Sequence, residues 1–168
     1  MQATEKQPLI LTLRLDADSQ EFFNVQRRLY FPPERNYLDA HLTLFHQLRD
    51  EPETFNYLEN LHQNAFDLQV AGLINLGAGV AYKIESAELL TLRRKLSAHF
   101  SNVLIPQDKQ GFRPHITIMN KVQPDTAKAL LAELSESFAP FSIHATGLDV
   151  WVYLNGPWEH KATFPLFF

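Results

Sequence analysis

Two short stretches, His41-Leu42-Thr43-Leu44 and His115-Ile116-Thr117-Ile118, share one pattern and determine how the rest of the chain is interpreted. Because side chains alternate faces along a β-strand, His and Thr of each stretch lie on one face and the two aliphatic residues on the other. Each stretch therefore predicts a strand that buries its aliphatic side chains and presents His and Thr to a polar groove. A chain of this composition would contain such a tetrad only about 0.08 times by chance.

A third His-x-Thr triplet shows that the triplet alone carries little information. It is His144-Ala145-Thr146, and the residue that follows is Gly147 rather than an aliphatic residue. The prediction of a paired site therefore depends on the complete tetrad, which occurs once in each half of the chain.

The segments around the two tetrads repeat one order of predicted elements. Each half is predicted to run strand, helix, motif strand, helix, strand, from alternation in the strands, helical spacing of apolar residues, and Ser, Asp and Pro at the helix ends. The predicted strands are 9–15, 41–46 and 66–76 in the first half and 80–84, 114–119 and 141–154 in the second.

This order predicts an α+β fold made of two pseudo-symmetric lobes. Each lobe is expected to be an antiparallel sheet with helices packed outside, and the active groove is expected between the lobes. The whole chain, 1–168, is taken as a single domain with lobes of approximately 1–78 and 79–168, and the lobes are allowed to exchange strands. The strand 9–15 is expected to be half-buried, and the polar segment 107–111 is expected to form a loop.

Composition excludes several classes of protein. Hydrophobic residues make up 45% and charged residues 20%, as in ordinary globular proteins, and there is no cysteine for a disulfide, a thiol nucleophile or a thiolate metal site. A net charge of −4 argues against stable binding of a long nucleic acid. The N-terminus is polar and predicts neither a signal peptide nor a membrane span, so a cytoplasmic enzyme without a membrane partner is expected.

Two histidines on either side of a phosphate can act as an acid–base pair. Near neutral pH, a neutral imidazole can remove a proton from water or a ribose hydroxyl while a protonated one donates to the departing oxygen. The hydroxyls of Thr43 and Thr117 can donate hydrogen bonds to the phosphate oxygens. This scheme for His41 and His115 needs neither a metal nor a cofactor.

Other residues are candidates for contacts with the substrate. Arg14 and Lys83 fall on the expected groove face of the first strand of each half, and Arg113 shares the face of His115. Arg14 and Lys83 could each bind the phosphate or equally be a solvated side chain, and Arg113, also a candidate for substrate binding, is expected at the rim of the pocket. The aromatic residues that could stack on a base or pack in the core are Phe45, Tyr82, Phe112, Trp151 and Tyr153.

Two alternatives apply to the motif histidines themselves. A lone histidine on a strand is more often a core residue satisfied by its neighbours. A metal site made of His41, His46 and His115 is the other alternative, but His46 is five residues from His41 and is expected on the opposite face of a regular strand.

The paired tetrads resemble the signature of the 2H phosphoesterase superfamily. The segment Phe112-Arg113-Pro114 before the second tetrad and Asn120-Lys121-Val122 after it resemble the 2′-5′ RNA ligase and cyclic phosphodiesterase branch. The resemblance implies a duplicated fold and a phosphodiesterase acting on 2′,3′-cyclic phosphate or 2′-5′ linked nucleotides or RNA ends, with reversal as a 2′-5′ RNA ligase. It implies that His41 and His115 are the acid–base pair and that Thr43 and Thr117 hold the phosphate.

Two other functions remain open at this level. One is a non-catalytic nucleotide-binding module that retains the groove. The other is an interaction protein that uses the apolar C-terminal tail, Phe164–Phe168, although this tail is also expected to dock on the domain.

Overall fold

The computed structural model describes residues 7–168, so the first six residues of the polar N-terminus lie outside the described residues. The first half contains β1 (Leu9–Leu15), α1 (Ala17–Tyr30), β2 (Leu42–Leu48), α2 (Pro52–Glu59) and β3 (Phe66–Asn75). The second half contains β4 (Val80–Glu85), α3 (Ala87–His99), α4 (Pro106–Lys109), β5 (His115–Met119), α5 (Pro124–Ser137), β6 (Phe141–Tyr153) and β7 (Trp158–Pro165). The predicted element order is confirmed in both halves.

All seven strands belong to one curled antiparallel sheet. Its strand order is β2-β1-β6-β3-β4-β5, so the two motif strands lie at the two ends of the path. The long strand β6 pairs with β1 along one edge, while β3 and then β7 share its other edge. The protein therefore has the predicted α+β, two-lobed fold.

The central strands cross between the halves of the sequence. β6 comes from the second half but pairs with β1, and β3 comes from the first half but pairs with β4. The strand order is the same from either end when β1, β2 and β3 are exchanged for β4, β5 and β6. The division of the domain near residue 78 stays a prediction.

Strand β1 is more deeply buried than its alternating sequence predicts. Ile10 and Thr12, expected on the exposed face, are only 5% and 2% exposed, and Arg14 is the single exposed residue of the strand. The expectation of a half-buried strand is therefore wrong. β2 and β6 cover the two edges of β1, and the side chain of Trp151, whose Nε1 donates to Oγ1 of Thr12 at 2.9 Å, covers the face expected to be exposed.

The helix starts follow from capping chemistry. The Asp16 carboxylate accepts a hydrogen bond from the Ser19 amide at 3.3 Å, and the Ser86 hydroxyl accepts one from Leu89 at 3.1 Å. α2, α4 and α5 each begin at a proline, which needs no amide partner in the first turn. Within the described residues no helix is long and apolar enough to cross a membrane.

Two elements differ from the sequence-based expectation. The expected loop 107–111 begins inside the short helix α4, and the C-terminal segment forms strand β7. The tail after β7 is only partly docked, because Leu166 is 5% exposed whereas Phe167 is 49% and Phe168 fully exposed.

Candidate active site

The two tetrads face one cleft, as their alternation predicts. The aliphatic residues of both tetrads are at most 1% exposed, while the His and Thr side chains stay accessible. The cleft has a volume of about 350 Å³. The four motif side chains in its wall are His41, Thr43, His115 and Thr117.

Each motif histidine is fixed by a backbone carbonyl two residues before it. The Nδ1 atom of His41 lies 2.8 Å from the oxygen of Asp39, and Nδ1 of His115 lies 2.8 Å from the oxygen of Arg113. A carbonyl oxygen can only accept, so Nδ1 carries the hydrogen in both rings. In the neutral form, Nε2 of each ring is therefore left as the proton-accepting atom.

The two histidines differ in their surroundings. Desolvation lowers the pKa of His41 from 6.5 to about 4, and the positive charge of Arg27 acts in the same direction. The bond to the Asp39 oxygen raises this pKa but is outweighed. His115 is the more exposed of the two rings. His41 is therefore neutral at physiological pH.

Two buried arginines, one on α1 and one on α3, each connect their helix to the motif strand of the other half of the sequence. Arg27 of α1 is 4% exposed and donates from Nη1 to the backbone oxygen of Thr117 at 3.2 Å. Arg93 of α3 is 7% exposed and donates from Nε to the oxygen of Leu44 at 2.8 Å. Each guanidinium also lies over an aromatic ring, that of Phe31 for Arg27 and that of Phe45 for Arg93. Sequence reasoning missed both residues, because an arginine on an amphipathic helix is ordinarily solvated.

A bulge in β2 brings His46 to the cleft. Thr12 of β1 pairs with Thr43 of β2, and the neighbouring residue Leu11 pairs with Phe45, so β2 contains one extra residue at this point. Leu44 and Phe45 are both buried. The extra residue changes the parity of the strand, so His46 lines the same cleft as His41. The expectation that His46 faces the opposite side is therefore wrong.

Asp108 anchors the loop that forms one wall of the cleft. Its carboxylate, 2% exposed, accepts hydrogen bonds of 3.0 Å from the amides of His46 and Gln47 and lies 2.9 Å from Nδ1 of His46. Burial alone would raise the pKa of Asp108, but these hydrogen bonds outweigh it and hold the pKa below its ordinary value. The residues after α4, including Phe112 and Arg113, thereby line the cleft.

The three predicted phosphate-binding cations are placed differently. Arg113 lines the cleft itself. Arg14 lines an adjacent cavity and pairs with Asp149 at 3.1 Å. Lys83 lies opposite His115 in the sheet register but pairs with Glu85 at 3.3 Å and does not line the cleft. The structure thus brings Arg113, and not Lys83, to the motif residues.

The aromatic candidates divide into core and cleft residues. Phe45 and Tyr82 are buried in the core, and Phe112 lines the cleft. Trp158, which sequence reasoning missed, also lines the cleft, with its ring 4.5 Å from that of His41. No signal near either motif marks Trp158, since pairing of β7 with β6 brings it to the site.

The described residues do not bring together a set of metal-binding side chains. Across residues 7–168, no group of three or more His, Asp or Glu side chains has a geometry that could hold a metal ion. His46, the third histidine at the cleft, has its Nδ1 atom bonded to Asp108.

Comparison with known proteins establishes the family. The model of the 2′-5′ RNA ligase superfamily matches residues 15–157. The chain therefore belongs to this superfamily, the two-histidine (2H) phosphoesterases. No functionally curated protein matches the sequence.

Solved structures share the fold over nearly the whole chain. A crystal structure of a phosphoesterase superposes with a TM-score of 0.67 at 20% identity and covers 98% of this chain and 100% of its own. E. coli LigT complexed with 3′-AMP superposes with a TM-score of 0.64 at 19% identity and covers 98% of this chain and 100% of its own. A protein of Thermus thermophilus gives 0.64 at 17% identity and covers 95% of this chain and 97% of its own. These likenesses show the fold.

Proposed function

We propose that this protein is a metal-independent phosphodiesterase that opens 2′,3′-cyclic phosphates of nucleotides or RNA ends by acid–base catalysis between His41 and His115. The observation that carries the proposal is the matched orientation of the two rings. Both hold their Nδ1 hydrogen on a carbonyl two residues before, so both keep Nε2 for chemistry at one shared cleft.

The environments of the two rings support different roles for them. His41, with its lowered pKa, is the base: its Nε2 takes a proton from water, and the water oxygen attacks phosphorus. One ring P–O bond of the cyclic phosphate breaks, and the protonated His115 gives its proton to the departing ribose oxygen. The product is a phosphomonoester, and the site is reset when His41 releases its proton to solvent and the exposed His115 takes one up.

The remaining cleft residues stabilise the charge on the phosphate. The hydroxyls of Thr43 and Thr117 donate to the non-bridging oxygens, and Arg113 at the rim offsets the negative charge. Family membership and the fold shared with LigT, which was crystallised with 3′-AMP, support a nucleotide substrate. Because acid and base exchange roles in the reverse direction, the same site can join a cyclic phosphate to a hydroxyl, as a 2′-5′ RNA ligase does.

The test is turnover of the four nucleoside 2′,3′-cyclic phosphates in the presence of a chelator. His41→Gln and His115→Gln are each expected to lower kcat by at least about 10²-fold, the range of one general acid or base. His144→Gln is the matched control, because His144 belongs to the third His-x-Thr triplet and does not line the cleft. Activity that requires added Zn²⁺ or Mn²⁺ would refute the metal-independent mechanism.

A further inference from the structure

A second cavity adjoins the cleft at His41. Its volume is about 700 Å³, and it shares His41 and Trp158 with the cleft. We call it the aromatic cavity, because the rings of Tyr37, Trp151 and Trp158 lie in its wall. Both tryptophans of the chain are therefore at this one cavity, which the proposed hydrolysis does not use.

The aromatic rings of this wall meet at an angle and are held in place. The ring centroids of Trp151 and Trp158 are 6.1 Å apart, and their planes are inclined at 52°. Nε1 of Trp151 donates to Oγ1 of Thr12 at 2.9 Å, which fixes the ring on the sheet. Tyr37 is 63% exposed, so packing in the core does not explain its position at the cavity. Rings that are fixed before a ligand arrives lose little entropy on binding, and inclined rings can offer their faces to one rounded group.

The ring faces of the cavity are not covered by the protein's own cations. Between residues 7 and 168, the arginines that lie over aromatic rings are Arg27 and Arg93, and neither lies over a ring of the cavity. Arg14 lies in the same wall, but its Nη1 atom pairs with Asp149 at 3.1 Å. The face of an aromatic ring is its electron-rich side. These faces are therefore available to a cation that comes from outside the protein.

The charges in the wall also favour a positively charged occupant. The carboxylates of Asp16, Asp39 and Asp149 line the cavity together with one guanidinium, that of Arg14. His41 adds no positive charge near neutral pH, because desolvation lowers its pKa to about 4. Three carboxylates against one guanidinium repel a phosphate and attract a cation.

We propose that the aromatic cavity binds a quaternary ammonium group, with its positive charge held by the faces of the indole rings and by the carboxylates of the wall. Cation–π attraction is strongest over tryptophan, and inclined aromatic rings are the usual way in which proteins recognise alkylated ammonium groups. Such a group has no N–H, so an aromatic wall leaves no donor of the ligand unsatisfied. The inference concerns a cavity beside the catalytic cleft and does not depend on the proposed reaction.

Binding can be tested by intrinsic fluorescence with a pair of ligands that differ only in charge. Because the only two tryptophans lie at the cavity, titration with choline should give a saturable change in tryptophan emission. The matched ligand is 3,3-dimethyl-1-butanol, which has the shape of choline with carbon in place of the charged nitrogen. It should bind at least about tenfold more weakly. Equal affinities for the two ligands, or no saturable response to choline, would refute the inference.

Variants of the wall locate the bound choline. Trp151→Ala should weaken binding about tenfold, with Trp158 as the remaining fluorophore, and Tyr37→Leu should weaken it about threefold. Tyr37 is exposed, so its replacement keeps the test open if Trp151→Ala does not fold. Tyr153→Leu is the matched control, since Tyr153 lies on the same strand as Trp151 but outside the cavity, and it should bind choline like the intact protein. Equal losses in Tyr37→Leu and Tyr153→Leu would overturn the assignment to this cavity.

The contribution of charge is tested at the wall as well. Asp39→Asn removes one negative charge with little change in size and should weaken choline binding about threefold, while binding of the neutral alcohol stays the same. Equal changes for both ligands would contradict the electrostatic attraction. Turnover of cyclic phosphates is measured on the same protein, and its absence alongside intact choline binding would refute the phosphodiesterase and leave the ammonium site.

Discussion

The guanidinium of Arg27 donates a hydrogen bond to the backbone oxygen of Thr117, so a helix of the first half holds the motif strand of the second. Arg93 makes the reciprocal connection from α3 to Leu44 in the motif strand of the first half. Both arginines are buried, and both hold the backbone beside the cleft. The spacing between the two tetrads therefore depends on these crossed contacts.

Replacing Arg27 by methionine should destabilise the fold. The substitution keeps the length of the side chain but leaves the Thr117 oxygen and the Asn36 side-chain oxygen without their donor. Unsatisfied buried acceptors cost about 1–3 kcal/mol in the free energy of unfolding, which urea denaturation measures. Arg28→Met is the control, since Arg28 is exposed and pairs with Glu21 at the surface. Equal losses in the two variants would contradict the role of the buried arginine.

The pH dependence of kcat/KM should show a base that remains active well below neutrality. Because the pKa of His41 is lowered to about 4, its neutral form persists as pH falls from 7 toward 4, and activity declines only near the lower value. Arg27→Met removes a nearby positive charge, so it should raise this pKa and move the acid limb to higher pH. A limb near 6.5 in the intact protein, the ordinary value for histidine, would show that His41 is not the base.

Asp108→Asn should loosen the wall of the cleft. In the intact protein the backbone amides of His46 and Gln47 donate to the Asp108 carboxylate. The asparagine side chain keeps only one acceptor oxygen, and its NH₂ group would face one of these donors. We expect a loss of about 1–3 kcal/mol in the free energy of unfolding and a higher KM, because the following loop lines the cleft. Asp125→Asn, an acidic residue in the first turn of α5, is the control. If steady-state kinetics show an unchanged KM for Asp108→Asn, the loop after α4 does not contribute to substrate binding.

Gly79→Ala should destabilise the turn between β3 and β4. A Cβ atom at this position would lie 2.0 Å from the backbone oxygen of Met119 at the end of β5, so the backbone must move. We expect a loss of about 1–3 kcal/mol by urea denaturation, as for other overpacked sites. Gly72→Ala in β3 has open space around the added atom and should cost less. If the Gly72 variant is the less stable of the two, the close approach to β5 does not explain the cost of a side chain at position 79.

The motif strands and the element order could be predicted from the sequence because they depend on local alternation and capping. Asp16, Ser86 and the prolines at the helix starts act within one turn of their own positions. The bulge at Leu44 and Phe45 has no such local signal, and it overturned the expected position of His46.

Residues whose roles depend on distant partners could not be predicted. Arg27 is buried because the Thr117 oxygen, far along the chain, provides its acceptor. Trp158 reaches His41 only because β7 adds to the edge of β6. Lys83 was predicted to bind the phosphate because strand parity places it opposite His115, but its ammonium group pairs with Glu85.

The exchange of central strands has a consequence for how the protein is made. β1 is translated long before its partner β6, and the contact between Arg14 and Asp149 spans 135 positions. A ribosome that has released only the first half has therefore released β1 and β3 without the strand that lies between them. Each motif strand has a pairing partner within its own half, β1 for β2 and β4 for β5, but the cleft between them exists only after β6 joins the two halves. The active cleft should therefore form late in synthesis.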